Sequence, residues 1–164
     1  VLWLKKGRQT MNSVRDTLGE FSFLDEVPDT WLDRLSSIGH KVTYPTGQRI
    51  FHEGERAEHF WLITSGAVGL DLHVPGRGDI LIETLREGDV LGWSWMFPPR
   101  RWHFGAVAAR TVHAIQFNGE EVMRTCRENP ALGMDLMQRF VALILDRLQA
   151  TRMRLIDLYG YPPS

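Results

Sequence analysis

The chain has a single cysteine, Cys126, in 164 residues. That excludes an internal disulfide framework and any zinc site built from several thiolates. It has little excess charge of either sign: 19 Lys+Arg stand against 20 Asp+Glu, a formal net charge of -1. Proteins that grip nucleic acid through its phosphates carry a basic surplus or a clustered basic stripe. Neither occurs, so DNA binding is not expected of this chain alone. No run of about 18 apolar residues is present, so no membrane-spanning helix is expected. Val1-Leu2-Trp3-Leu4 is too short for the apolar region of a secretory signal, and a cytoplasmic location is the expectation. Also missing are Gly-x-Ser-x-Gly, a Walker loop and His-Glu-x-x-His, so no catalytic residue is assigned. No His-x-His pair occurs: His52, His59 and His73 are scattered, and His103 with His113 across a hairpin makes an incomplete first shell. No metal site is expected, and a cupin-like metal-binding protein stands only as an alternative.

What is present is ordinary for one compact domain. Hydrophobic residues make up 43% and charged residues 24%, close to the globular average. Residues 1–20 read as a flexible leader, basic at its start through Lys5, Lys6 and Arg8, and the domain as residues 21–164. Asp29–Ile38 has Trp31, Leu32, Leu35 and Ile38 at helical spacing and predicts a short helix. Between residues 40 and 117 the apolar runs are short and turn residues interrupt them: Pro45-Thr46-Gly47, Glu53-Gly54-Glu55, Ser65-Gly66, Pro75–Asp79 and Glu87-Gly88-Asp89. Ser65-Gly66 reads as a hairpin between His59–Thr64 and the alternating strand Ala67–Val74. About eight short strands with such turns predict a jelly-roll-like double-stranded β-roll. Residues 118–159 read as helical. Asn118 with Glu121 is capping-box-like, and Asn129-Pro130 places a capping side chain before proline at the first helical position. The fold class is therefore mainly β with flanking helices, the last one long.

The long helix carries an apolar stripe through Leu132, Leu136, Phe140, Ile144, Leu148 and Leu155. At about 28 residues it would span about 42 Å, more than the roll can cover. A homodimer through this helix is the expected partner arrangement. Arg147, Arg152 and Arg154, offset by Asp146 and Asp157, read as a solvated face. Cys126 has no histidine placed beside it and reads as an inert thiol.

The order short helix, roll, short helix, long helix resembles the cyclic-nucleotide-binding domain of the catabolite-activator type, from about Phe21 to Tyr159. Four motif pieces carry the resemblance. Gly47–Glu55 is similar to the family's second strand and Glu-Gly turn, and Phe60–Val68 to its third strand, Ser-Gly turn and fourth strand. Leu85–Gly92 is similar to the approach to the phosphate-binding cassette, and Gly92–Phe104 occupies the place of the cassette itself. The resemblance implies a non-enzymatic regulatory or sensor domain with a small-molecule effector. No helix-turn-helix follows Tyr159, which favours a stand-alone sensor.

The cassette departs from the pattern the resemblance implies, in which a Gly-Glu pair, a helical turn and an arginine followed by small residues hold the cyclic phosphate and ribose. Gly92 matches. Trp93 replaces the glutamate, Pro99-Arg100 keeps the arginine, and Arg101-Trp102 stands where small residues belong. Losing a carboxylate that accepts from a buried hydroxyl costs about 1.5–3 kcal/mol, roughly ten- to a hundredfold in affinity. High-affinity cyclic AMP or cyclic GMP binding by the family's scheme is therefore not expected. The candidate ligand-binding residues are Gly92, Trp93, Ser94, Arg100, Arg101, Trp102 and His103. Trp93, Trp95, Phe97, Trp102 and Phe104 crowd this segment and leave three readings open. They form a packed lid over a vestigial pocket, or line a cavity for a flat ligand whose negative group meets Arg100 or Arg101, or admit a cyclic nucleotide. The packed lid would make the chain a structural interaction domain.

Overall fold

In a computed structural model, described for residues 12–160, the chain folds as an antiparallel six-stranded sheet with helices before and after it. Residues 14–20, expected to belong to a leader, instead hold a helix, α1 (Val14–Gly19). Ser13 and Asp16 cap it reciprocally, and Leu18 is fully buried. The predicted flexible leader otherwise lies outside the described residues. A one-turn 3-10 helix (Ser22–Leu24) leads to α2 (Asp29–Ser36). Arg15 ties the two helices together by ion pairs to Asp29 and Asp33 at 2.8 and 2.6 Å.

The strands are β1 (Gly39–Tyr44), β2 (Arg49–Phe51), β3 (His59–Val74), β4 (Gly78–Arg86), β5 (Val90–Leu91) and β6 (Gly105–Asn118). The sheet runs β1-β6-β3-β4, with β2 also on β6 and β5 also on β3. Six strands replace the eight expected because two predicted breaks are not breaks. Ser65-Gly66 is no hairpin; it lies inside the 16-residue β3, where the pairing with β6 shifts register on either side of Ser65. Gly66 has φ +93°, and a Cβ there would strike the Thr111 carbonyl oxygen. The glycine therefore bends one strand over its partner rather than ending it. The segments on either side of Arg110 likewise form the single strand β6.

Two helices close the chain. Asn118 accepts from the Glu121 amide at 3.1 Å and starts α3 (Gly119–Glu128). Asn129 accepts from the Leu132 amide at 3.2 Å and starts α4 (Pro130–Tyr159). The buried residues of α4 are Leu132, Gly133, Leu136 and Phe140, all within its first eleven residues. At 1.5 Å per residue its 30 residues span about 45 Å, and from Leu148 to its end every residue is exposed. The core joins Phe60, Phe117 and Trp95 to Phe140. Phe60 stacks on Phe117 at 4.9 Å and on Trp95 at 5.2 Å, and Phe140 meets Phe60 and Trp95 edge-on at 5.2 and 5.6 Å.

Candidate functional site

The cassette segment leaves β5 at Gly92, turns once through a 3-10 helix (Ser94–Met96) and returns into β6. Its return arm is laced to the loop after β2. The Gly54 amide donates to the Trp102 carbonyl at 2.8 Å, the Trp102 amide to Glu55 at 2.9 Å and the Ala57 amide to Arg100 at 2.8 Å. This clamp fixes which way the side chains of residues 100–102 point. Arg101 turns outward and donates to the Gly54 carbonyl at 2.8 Å. Arg100, held at φ +54°, is exposed and lines a separate surface groove beside Arg56 and Arg127. Trp102 turns inward, is only 6% exposed, and lies flat on Phe51 with ring centroids 3.9 Å apart. Gly92 makes room for it: at φ +94°, a Cβ on residue 92 would come within 2.8 Å of the Trp102 ring.

Gly92, Trp93, Ser94, Trp102 and His103 therefore line one cavity together with Phe51, Leu70 and Phe104, whereas neither cassette arginine lines it. The cavity holds about 30 Å³, room for one or two waters and far below the roughly 300–1,000 Å³ of small-molecule pockets. Trp95 has left the site for the core. Its indole N–H is buried with no hydrogen-bond partner among the described residues.

A cation does reach the cavity, from a place the sequence reading assigned to solvent. Arg147 of α4 is partly buried at its edge. Its guanidinium carbon sits 4.6 Å from the centroid of the Trp93 ring, and it donates to the Val90 carbonyl. Burial lowers its pKa from the ordinary value, with Glu83 and Asp89 pulling the other way. One sequence signal for this was available: Arg147 lies seven residues, two helical turns, after the inward-facing Phe140.

A second opening, about 370 Å³, lies between the cassette and α4 and shares Trp93, Ser94 and His103 with the inner cavity. Phe97, Pro98, Val141, Ile144 and Leu145 complete it. Three other histidines make local contacts: His52 with Glu55, His73 with Asp79 and His113 with the Thr43 hydroxyl, each at 3.0 Å.

Residues 41–129, more than half of the chain, match the family described as the cyclic nucleotide-binding domain. The chain belongs to that family. The domain is 24% identical over 131 residues to the cAMP-activated global transcriptional regulator CRP of Escherichia coli, covering 79% of this chain and 60% of that protein. It thus spans about 60% of the length of the curated relatives it first matches. Among solved structures it is similar to a cyclic nucleotide-binding domain from Methylobacillus flagellatus, at 16% identity and TM-score 0.76, covering 93% of this chain and 84% of that one. It is also similar to the catabolite activator protein of Thermus thermophilus, at 22% identity and TM-score 0.68, covering 84% and 62%. At these identities the structural likeness establishes the fold. The domain has no helix among the described residues long and apolar enough to cross a membrane.

Proposed function

We propose that this cyclic nucleotide-binding-type domain is a non-enzymatic, cytoplasmic regulatory module that pairs through α4 and does not take cyclic AMP or cyclic GMP by the arginine-and-glutamate route. One observation carries this reading: the indole of Trp102 lies in the cassette cavity while Arg100 and Arg101 both point away from it. A cyclic phosphate entering there would meet stacked aromatic rings and neither cassette arginine, and the one guanidinium at the cavity's edge, Arg147, is engaged by the Val90 carbonyl and the Trp93 ring. The pairing surface is supported by exposed residues on α4. Val141, Leu145, Leu148 and Leu155, 43–52% exposed, follow one another at spacings of four, three and seven, the seam pattern of paired helices. The same α4 supplies Arg147 to the cassette, so a change at the cassette is transmitted to the pairing helix directly.

The test is titration with cyclic AMP and cyclic GMP while following tryptophan fluorescence. The expected result is no saturable change up to about millimolar nucleotide. Saturable binding below about 10 μM, abolished by Arg100→Ala, would overturn the reading. A purely structural interaction domain is the second reading, favoured by the 30 Å³ left in the inner cavity.

A further inference from the structure

We propose that the surface groove lined by Arg56, Arg100 and Arg127 binds the phosphoryl group of a phosphate monoester. These three arginines line the groove and not the cassette cavity. The site therefore goes beyond the regulatory reading above and does not rest on it.

Three guanidiniums reach this one opening from three different elements. Arg56 comes from the loop between β2 and β3, Arg100 from the return arm of the cassette and Arg127 from the last turn of α3. All three are exposed, but the backbone beneath them is tied together. Arg100, at φ +54°, donates its amide to the Phe97 carbonyl and accepts from the Ala57 amide, both at 2.8 Å. The Gly119 amide at the start of α3 donates to the Glu58 carbonyl at 2.7 Å. The loop carrying Arg56 thus joins the cassette arm to α3, and the three cations stand on one frame.

The charges of the groove select the ligand. Arg56 pairs with Glu58 at 3.2 Å, whereas Arg100 and Arg127 make no ion pair among the described residues. Glu120, exposed at the first turn of α3, is the only other carboxylate lining the groove. Three arginines against two glutamates leave the groove positive, with two guanidiniums free to take an anion. Its volume of about 240 Å³ is below the roughly 300–1,000 Å³ of sites that enclose a whole small molecule, but it admits one compact anionic group. A phosphate monoester brings a charge of about -1.5 to -2 and three acceptor oxygens to one point, so guanidiniums arriving from three sides can each meet an oxygen. A carboxylate offers two oxygens in one plane and a single charge. Arginine forks suit the phosphoryl group in particular. Glu120 repels such a dianion, so its charge and those of Arg100 and Arg127 act on binding with opposite signs.

The test is a titration of the whole 15N-labelled chain, followed by its amide shifts, with glycerol 2-phosphate, with glycerol as the neutral control and with the peptide Gly-Gly-phosphoserine-Gly-Gly. The expected result is saturable shifts at Arg56–Glu58, Arg100 and Gly119–Arg127 with both phosphates and none with glycerol. Binding should be at least about threefold weaker in Arg100→Gln and in Arg127→Gln, tighter in Glu120→Gln, and unchanged in Arg77→Gln, which removes the same charge from the exposed turn after β3. Amide spectra that match the parent away from each substitution establish that the variants fold. Equal binding of the two phosphates supports the proposal with a free monoester as the source; tighter binding of the peptide supports it with a phosphorylated segment of a partner protein. No saturable shift up to about 10 mM overturns the proposal, as do shifts away from the groove, equal weakening in Arg77→Gln, or weaker binding in Glu120→Gln. Arg127 lies outside the cassette cavity and no cyclic nucleotide is used, so this site and the regulatory reading fail separately.

Discussion

Replacing Trp102 by alanine removes the side chain that occupies the cassette cavity. The ring is 6% exposed and stacked on Phe51 at 3.9 Å, with Trp61 6.0 Å away. Truncating a buried tryptophan costs about 3–5 kcal/mol through lost burial and the hole left behind. Stacking accounts for about 0.5–1.5 kcal/mol beyond the buried area. Collapse into the hole is resisted, because residues 100–102 are tied by backbone hydrogen bonds to Gly54, Glu55 and Ala57. At this chain length each kcal/mol corresponds to about 2–4 °C of melting temperature, so the midpoint falls by roughly 6–20 °C. Phe97→Ala, at a position 53% exposed, stays within about 0.5 kcal/mol of the parent. Thermal and urea unfolding of the three proteins measures both effects. A Trp102→Ala midpoint within about 2 °C of the parent would refute the assignment of Trp102 as a packed plug. Nucleotide binding gained by that variant would show that the indole alone had blocked the site.

Other outcomes follow from the same geometry. Trp95→Phe should change stability by less than about 1 kcal/mol in urea unfolding, because lost contact area is offset by removing an unpartnered buried N–H that costs about 1–3 kcal/mol; a loss above about 3 kcal/mol would mean that the N–H has a partner. Burial raises the pKa of the Cys126 thiol, so alkylation by iodoacetamide at pH 8 should be slower in the folded chain than in guanidinium, and equal rates would contradict it. The sign for stability follows: this contribution is fully present below the ordinary thiol value and is lost as pH rises through the raised folded one. The double change Leu145→Glu and Leu148→Glu should yield a monomer in sedimentation with the roll intact by circular dichroism; a parent that is monomeric at every concentration would remove the pairing proposal.

The order of elements was legible in the sequence because its signals are local. Asn118 and Asn129-Pro130 announce helix starts that the structure places at the next residue, and the hydrogen bonds to Glu121 and Leu132 show why. Gly66 misled for an equally physical reason. A glycine with positive φ looks the same in a sequence whether it closes a hairpin or bends a continuous strand, and only the Thr111 carbonyl pressed against it distinguishes the two. Helix α1 went unrecognised because its six residues bury one side chain, Leu18. At the site, the cavity-lining role of Gly92, Trp93 and Ser94 follows from their place after β5. The directions of Arg100 and Arg101 did not, since they depend on pairing with a segment more than forty residues earlier. Arg147 was hidden among the charged residues near the end of α4; its spacing of two helical turns from Phe140 was the one signal that it shares the inward face.

The sheet topology has a consequence during synthesis. Strands β1, β2 and β3 all pair with β6, the last strand to be made. The β3–β6 pairs join residues 34 to 59 positions apart, Asp71 with Gly105 and His59 with Asn118. Until Asn118 has cleared the ribosome, β1 and β2 have no edge to join, and the apolar run Phe60–Ile63 stands open on the side that β6 will cover. Closing such distant pairs is slow relative to local helix formation. A nascent chain of this domain is therefore most exposed to proteases and to unwanted association between the emergence of β3 and that of β6, with β6 completing the sheet in a single late step.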